Sequence, residues 1–182
     1  MSKSKSQSVE TKTAIDESGQ ISYLSLGSNV GDRKAYLKKA VELLQQHDKI
    51  RILKLSSIYE SQPMVNEDQP FFLNMVTAIA TELEPAELLQ TIKAMEQELG
   101  RVQREEKGPR EIDIDIIFYS DLTMDSDDLT IPHKEHHNRK FVLVPLSHIA
   151  PDFVCPVHQL SIEDALKQSS DGSYIHLFDP AL

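Results

Sequence analysis

Between residues 21 and 119 the apolar residues change period in the order strand, helix, strand, strand, helix, strand, and that order admits few folds. Residues 21–26 form a short apolar run that ends in the turn Gly27-Ser28-Asn29, with Gly31-Asp32 close behind. A helix is expected from Asp32 to about His47. There Leu37, Ala40, Val41 and Leu44 repeat at helical spacing, and Lys34, Lys38, Lys39, Glu42 and Gln45 fall on the other side. Residues 52–59 and 73–81 are rich in strand-favouring side chains, and the loop from Pro63 to Pro70 separates them. Pro85 suits the first turn of a second helix, Leu88, Ile92, Met95 and Leu99 recur on one of its faces, and Gly100 follows as its cap. In residues 112–119, Ile112, Ile114 and Ile116 alternate with Asp113 and Asp115.

The expected fold class is therefore α+β, with a ferredoxin-like βαββαβ core in which helices pack on an antiparallel sheet. The pattern weakens after Asp121. A C-terminal extension is expected there, with helices near residues 142–149 and 162–168 and a short strand near residues 174–178. Residues 1–20 are rich in Ser, Lys, Thr, Glu and Gln and read as a disordered tail ahead of a single domain over residues 21–182.

Charge and composition narrow the function. A formal net charge of -10 opposes broad nucleic-acid binding, which needs clustered Lys and Arg. The longest apolar runs, such as residues 71–80, fall well short of the roughly 20 residues that cross a bilayer. Cys155 is the single cysteine, and no apolar run near the start resembles a signal segment, so a cytoplasmic location is expected.

Asp113 and Asp115 leave one face of a strand with Cα atoms roughly 6.5 to 7 Å apart, while the isoleucines take the opposite face. Carboxylates at that spacing can share hard cations, and magnesium suits them better than zinc. Taken alone, Asp-x-Asp is more often the solvent face of an amphipathic strand. Its surroundings shift the balance, because Arg101, Arg104, Lys107 and Arg110 precede it, and cations beside a carboxylate pair suit a magnesium–polyphosphate ligand. A second patch runs from His133 through Lys134, His136 and His137 to Arg139. Its histidines, with Cys155 and His158, lack the spacing of a structural zinc site. Gly27-Ser28-Asn29 is neither a Walker loop nor a dinucleotide fingerprint.

Several short motifs in one order resemble the 6-hydroxymethyl-7,8-dihydropterin pyrophosphokinase family. They are Leu26-Gly27-Ser28-Asn29, Ser56-Ser57-Ile58-Tyr59 with Pro63, Asp68-Gln69-Pro70-Phe71-Phe72-Leu73-Asn74, Glu96 through Gly100-Arg101-Val102, Gly108-Pro109-Arg110-Glu111-Ile112-Asp113-Ile114-Asp115, Pro132-His133, and Arg139-Lys140-Phe141 through Pro145-Leu146. The resemblance implies diphosphate transfer from ATP to 6-hydroxymethyl-7,8-dihydropterin, giving AMP, in folate biosynthesis. It implies two magnesium ions on Asp113 and Asp115, and catalytic roles for Arg101 and Arg110 beside them. At the nucleotide it implies Glu96, Arg110, Thr130, His133 and Arg139, and around the pterin Ser61, Met64, Phe72, Asn74 and Phe141. The implied partners are these two small molecules, with no nucleic acid or membrane, and association with other folate-pathway enzymes is open. The family usually carries Arg-Val-Arg and then a further arginine and an aromatic. This chain has Arg101-Val102-Gln103 followed by Glu106-Lys107, which makes a weakly catalytic sensor or partner subunit the alternative reading.

Overall fold

A computed structural model describes residues 19–64, 68–102, 108–135 and 139–182. The body of the expected tail (residues 1–18), the loop residues 103–107 and the patch residues 136–138 lie outside the described residues. The elements are β1 (Gln20–Ser28), α1 (Arg33–Gln46), β2 (Ile50–Leu55), β3 (Ile58–Ser61), β4 (Phe72–Thr81), α2 (Pro85–Glu98), β5 (Asp113–Tyr119), β6 (Met124–Asp125), β7 (Thr130–Ile131), α3 (Lys140–Ile149), α4 (Ile162–Gln168) and β8 (Ile175–Asp179). The main sheet runs β5-β1-β4-β3-β8, with β2 also beside β4, and every pairing in it is antiparallel. This is the expected α+β arrangement. Among the described residues no helix is long and apolar enough to cross a membrane.

Local chemistry explains the helix limits. Asp32 accepts the Ala35 N–H at 3.0 Å and starts α1, whose Leu37, Ala40, Val41 and Leu44 are buried. Pro85 opens α2, the Glu84 N–H donates to Glu87 Oε2 at 3.1 Å, and Gly100 ends it at φ 84°. Both helices cover one face of the sheet, where Leu24, Leu26, Met75, Ile79, Ile112, Ile114 and Ile116 meet Leu37, Leu44, Leu88 and Ile92. The opposite face is only partly covered. There Val142, Leu143, Leu146 and Ile149 of α3 pack with Val76, Ala78, Ile117 and Phe118 in a second core.

Beyond shifts of one or two residues at element ends, three features depart from expectation. The strand expected over residues 52–59 is two strands, because Ser56 and Ser57 interrupt it. The Ser56 N–H donates to the Val76 carbonyl and Ser56 Oγ accepts the Val76 N–H, both at 2.9 Å, so a hydroxyl stands in for a backbone acceptor at the break between β2 and β3. Gln20, placed in the tail by composition, is the first residue of β1 and lies opposite Thr81. The hairpin of β6 and β7 has strands too short to leave a periodic signal.

Candidate active site

The antiparallel register sets several chemically useful side chains side by side. Gly27 of β1 lies opposite Asn74 of β4 on one flank and Asp113 of β5 on the other, and Ser25 lies opposite Asp115. Alternation puts these residues on the face that α3 covers, beyond the end of α3, while Leu24, Leu26, Ile114 and Ile116 fill the core beneath. The result is a cavity of about 380 Å³ floored by the sheet and walled by Gln62, Pro63 and Met64 after β3, by Arg101 after α2, and by His133, Glu135, Arg139 and Phe141.

One wall is ionic. Asp113 Oδ1 accepts from Arg101 Nη1 at 2.7 Å and Oδ2 accepts from Arg110 Nη1 at 2.9 Å, so both carboxylate oxygens hold a guanidinium. Arg101 Nη1 also lies 2.6 Å from Glu96 Oε2. Glu96 is only 2% exposed, and its charge is compensated on all sides. Its Oε1 accepts the Ile114 N–H at 2.6 Å and Lys93 Nζ at 3.1 Å. Burial, followed by repulsion from Asp113 and Glu96, pushes the Asp115 carboxyl up to about 6 against the opposing pull of Lys93 and Arg110. Burial and the nearby Arg139 push the His133 imidazole below its usual range, and Asp113 only partly opposes them. Arg139 pairs in turn with Glu135.

The other wall is flat and apolar. The guanidinium of Arg110 lies 5.5 Å from the ring centroid of Phe72, and that of Arg139 lies 5.5 Å from the ring centroid of Phe141. Asn74, almost fully buried, donates from Nδ2 to Ser61 Oγ at 2.8 Å, which fixes its amide plane. Gly27 keeps the floor open, since a Cβ there would stand 3.2 Å from Asn74 Oδ1. Such a site accepts a planar, hydrogen-bonding heterocycle on one side and an anion on the other.

Of the residues singled out from the sequence, Ser61, Met64, Phe72, Asn74, Arg101, Arg110, Asp113, Asp115, His133, Arg139 and Phe141 line this one cavity. Glu96 and Thr130 do not. Glu96 lies beneath it, holding Arg101 and the β5 backbone, while Thr130 opens onto an adjoining hollow of about 380 Å³ with Leu89, Ile116 and Leu129. The two hollows share Lys93, Asp115, His133 and Glu135. Sequence reasoning missed Lys93, because a lysine three residues before a glutamate on a helix reads as an ordinary surface pair. It missed Ser25 too, which carries no pattern of its own, and it gave Gln69 no role although that residue stands in one of the quoted motifs. Gln103, Glu106 and Lys107, on which the weakly catalytic alternative rested, and Arg104 lie outside the described residues.

Residues 23–151 match the family model for 7,8-dihydro-6-hydroxymethylpterin-pyrophosphokinase (HPPK). The chain is 46% identical over 129 residues to the 2-amino-4-hydroxy-6-hydroxymethyldihydropteridine pyrophosphokinase of Bacillus subtilis, covering 71% of this chain and 77% of that protein. It is 44% identical over 154 residues to the folic acid synthesis protein fol1 of Schizosaccharomyces pombe, covering 84% of this chain and 21% of that protein. A solved Plasmodium falciparum HPPK-DHPS structure with pteroate is similar in fold, with a TM-score of 0.66 at 16% identity, over 85% of this chain and 44% of that chain. The chain thus spans about a fifth of the fission-yeast relative and less than half of the Plasmodium chain.

Proposed function

Because the chain belongs to the 7,8-dihydro-6-hydroxymethylpterin-pyrophosphokinase family, we propose that it transfers a diphosphate from ATP to 6-hydroxymethyl-7,8-dihydropterin, forming the pterin diphosphate and AMP in folate biosynthesis. The observation that carries this reading is the pair of hollows joined at Lys93, Asp115 and His133. A pterin takes the cavity between Phe72 and Phe141, with Asn74 at its ring edge. The nucleoside takes the hollow beside Thr130, Leu89 and Leu129, and the polyphosphate crosses the junction.

The donor set fits magnesium. Magnesium is commonly held by one or two carboxylates, with substrate phosphates and water completing its octahedron, and Asp113 and Asp115 offer two carboxylates facing the junction. The raised Asp115 carboxyl reports a crowded negative site that a cation would relieve. Bound magnesium would neutralise polyphosphate charge and make the β-phosphorus more electrophilic.

This chain's own residues would then position and stabilise. Phe72, Phe141 and Asn74 hold the pterin so that its hydroxymethyl oxygen faces the β-phosphorus in line with the α,β-bridging oxygen. The new bond forms from the hydroxymethyl oxygen to the β-phosphorus. The bond from that phosphorus to the bridging oxygen breaks, and its electron pair leaves with AMP. Arg101 and Arg110, freed from Asp113, meet the charge on the transferring group, and His133 and Arg139 meet the remaining phosphate oxygens. The hydroxyl proton passes to water, and the bridging oxygen stays on the α-phosphorus of the departing AMP. The test is to incubate the chain with magnesium, ATP and the hydroxymethyl-dihydropterin and to follow AMP beside an Asp115→Asn control. Pterin-dependent AMP that vanishes in the control supports the proposal, and ADP or no product from folded protein refutes it.

A further inference from the structure

Asn29 is only 1% exposed and lines neither hollow, yet it ties the two sides of the site together. Its backbone N–H donates to the Arg110 carbonyl at 3.1 Å, and its Oδ1 accepts the Arg110 N–H at 2.8 Å. Its Nδ2 donates to Gln69 Oε1 at 3.2 Å and to the Pro70 carbonyl at 3.3 Å. One side chain therefore reaches partners 40 and 81 residues further along the chain.

The bonds close a circuit. Arg110, fixed at its peptide by Asn29, sends its guanidinium to Asp113 at 2.9 Å and to the face of Phe72 at 5.5 Å. Phe72 follows Pro70 by two residues, and Pro70 returns to Asn29. Moving the Gln69–Pro70 segment against Arg110 breaks buried hydrogen bonds, so a displacement on the heterocycle side is felt on the phosphate side.

We infer that Asn29 is a positioning residue that couples the two substrates: through its bonds to Arg110 and to the Gln69–Pro70 segment, occupation of the phosphate side sets the geometry that the heterocycle meets. The inference rests on the function proposed above. It concerns how strongly one ligand strengthens the other, which is a different quantity from either affinity alone.

The test measures the dissociation constant of the hydroxymethyl-pterin with and without magnesium and the α,β-methylene analogue of ATP, whose bridging bond cannot be cleaved. The ratio of the two constants is the coupling factor. Asn29→Asp keeps an acceptor for the Arg110 N–H but loses the donor for Gln69 and Pro70. It should lower the factor about fivefold or more while each ligand alone binds within about threefold of wild type. Gln69→Met keeps side-chain volume and removes one loop-side acceptor, and it should move the factor in the same direction. Thermal melts establish that each variant is folded. An unchanged factor in either folded variant overturns the inference. Wild-type protein that binds each ligand alone with a factor of one overturns it too and leaves the function standing. Wild-type protein that binds neither ligand overturns the function itself.

Discussion

Asp113 and Asn74 stand in the same row of the sheet, one on either side of Gly27. Two inter-strand spacings place their Cα atoms about 10 Å apart. The proposed metal-binding carboxylate and the proposed pterin-reading amide thus hold a separation set by backbone hydrogen bonds and not by loops. Gly27→Ala should weaken pterin binding about tenfold, because the new methyl sits 3.2 Å from Asn74 Oδ1 and tilts the amide. Nucleotide affinity, measured in parallel by calorimetry, should stay within about twofold, and an equal loss of both would contradict the row geometry.

Asp115 makes a pH prediction. Burial and its acidic neighbours push its folded carboxyl up to about 6 from the ordinary aspartate value of 3.8, so between those values the folded metal-free chain binds more protons than the unfolded chain. Stability should therefore fall as pH rises from about 4 through about 6. Asp115→Asn should flatten that decline and raise the melting temperature at neutral pH by a few degrees, roughly 1 kcal/mol, while abolishing turnover. Melting curves across this range with a chelator present decide it, and an unaltered slope in the variant would refute the assignment.

Arg101 bridges Glu96 and Asp113. Arg101→Ala should lower kcat on the order of 100-fold, as loss of one preorganised donor to a developing charge does. The same change removes a guanidinium from Asp113 Oδ1, so manganese binding in the absence of nucleotide, followed by electron paramagnetic resonance, should strengthen. Weaker manganese binding would show that Arg101 supports the carboxylate instead of blocking it.

Glu96 is a structural test of the same wall. Glu96→Ala leaves the Ile114 N–H without its acceptor and Lys93 and Arg101 without a shared partner. A loss of about 1–3 kcal/mol in denaturant unfolding is expected, with Glu96→Gln recovering part of it through the retained carbonyl oxygen. Equal stabilities for both variants would count against the buried bond.

The two hollows can be separated by truncation. Phe141→Ala should weaken the pterin by about 10-fold or more, in line with the 1–3 kcal/mol typical of stacking on an aromatic ring. Leu89→Ala, on the wall of the other hollow, should weaken nucleotide and spare pterin. Reversal of that pattern in paired titrations would exchange the two assignments.

Much of this arrangement is legible in the sequence because periodicity is a strong signal where one face must be buried. The isoleucines of residues 112–116 announced a strand with an acidic outer face, and the core residues of α1 and α2 were readable one by one. Register was not. Nothing in the spacing of Gly27, Asn74 and Asp113 says that they share a row, because that depends on pairings between strands far apart in the chain. Lys93 escaped for a related reason. Its helix packs on the far face of the sheet, and only the position of β5 at the sheet edge lets its ammonium reach the cavity side. The Ser56–Ser57 break was hidden because its cause is a hydroxyl bonded to Val76, 20 residues away.

The direction of β1 has a practical side. Gln20 opens the strand opposite Thr81, whereas the cavity begins at Ser25 and Gly27, so the chain enters the sheet roughly 20 Å from the row that holds Asp113. The other end behaves differently, since Tyr174, just ahead of β8, accepts the Gln62 N–H at the cavity rim. A fluorophore or surface tether placed at Gly19 leaves the mouth clear, while one grafted near Tyr174 sits across it.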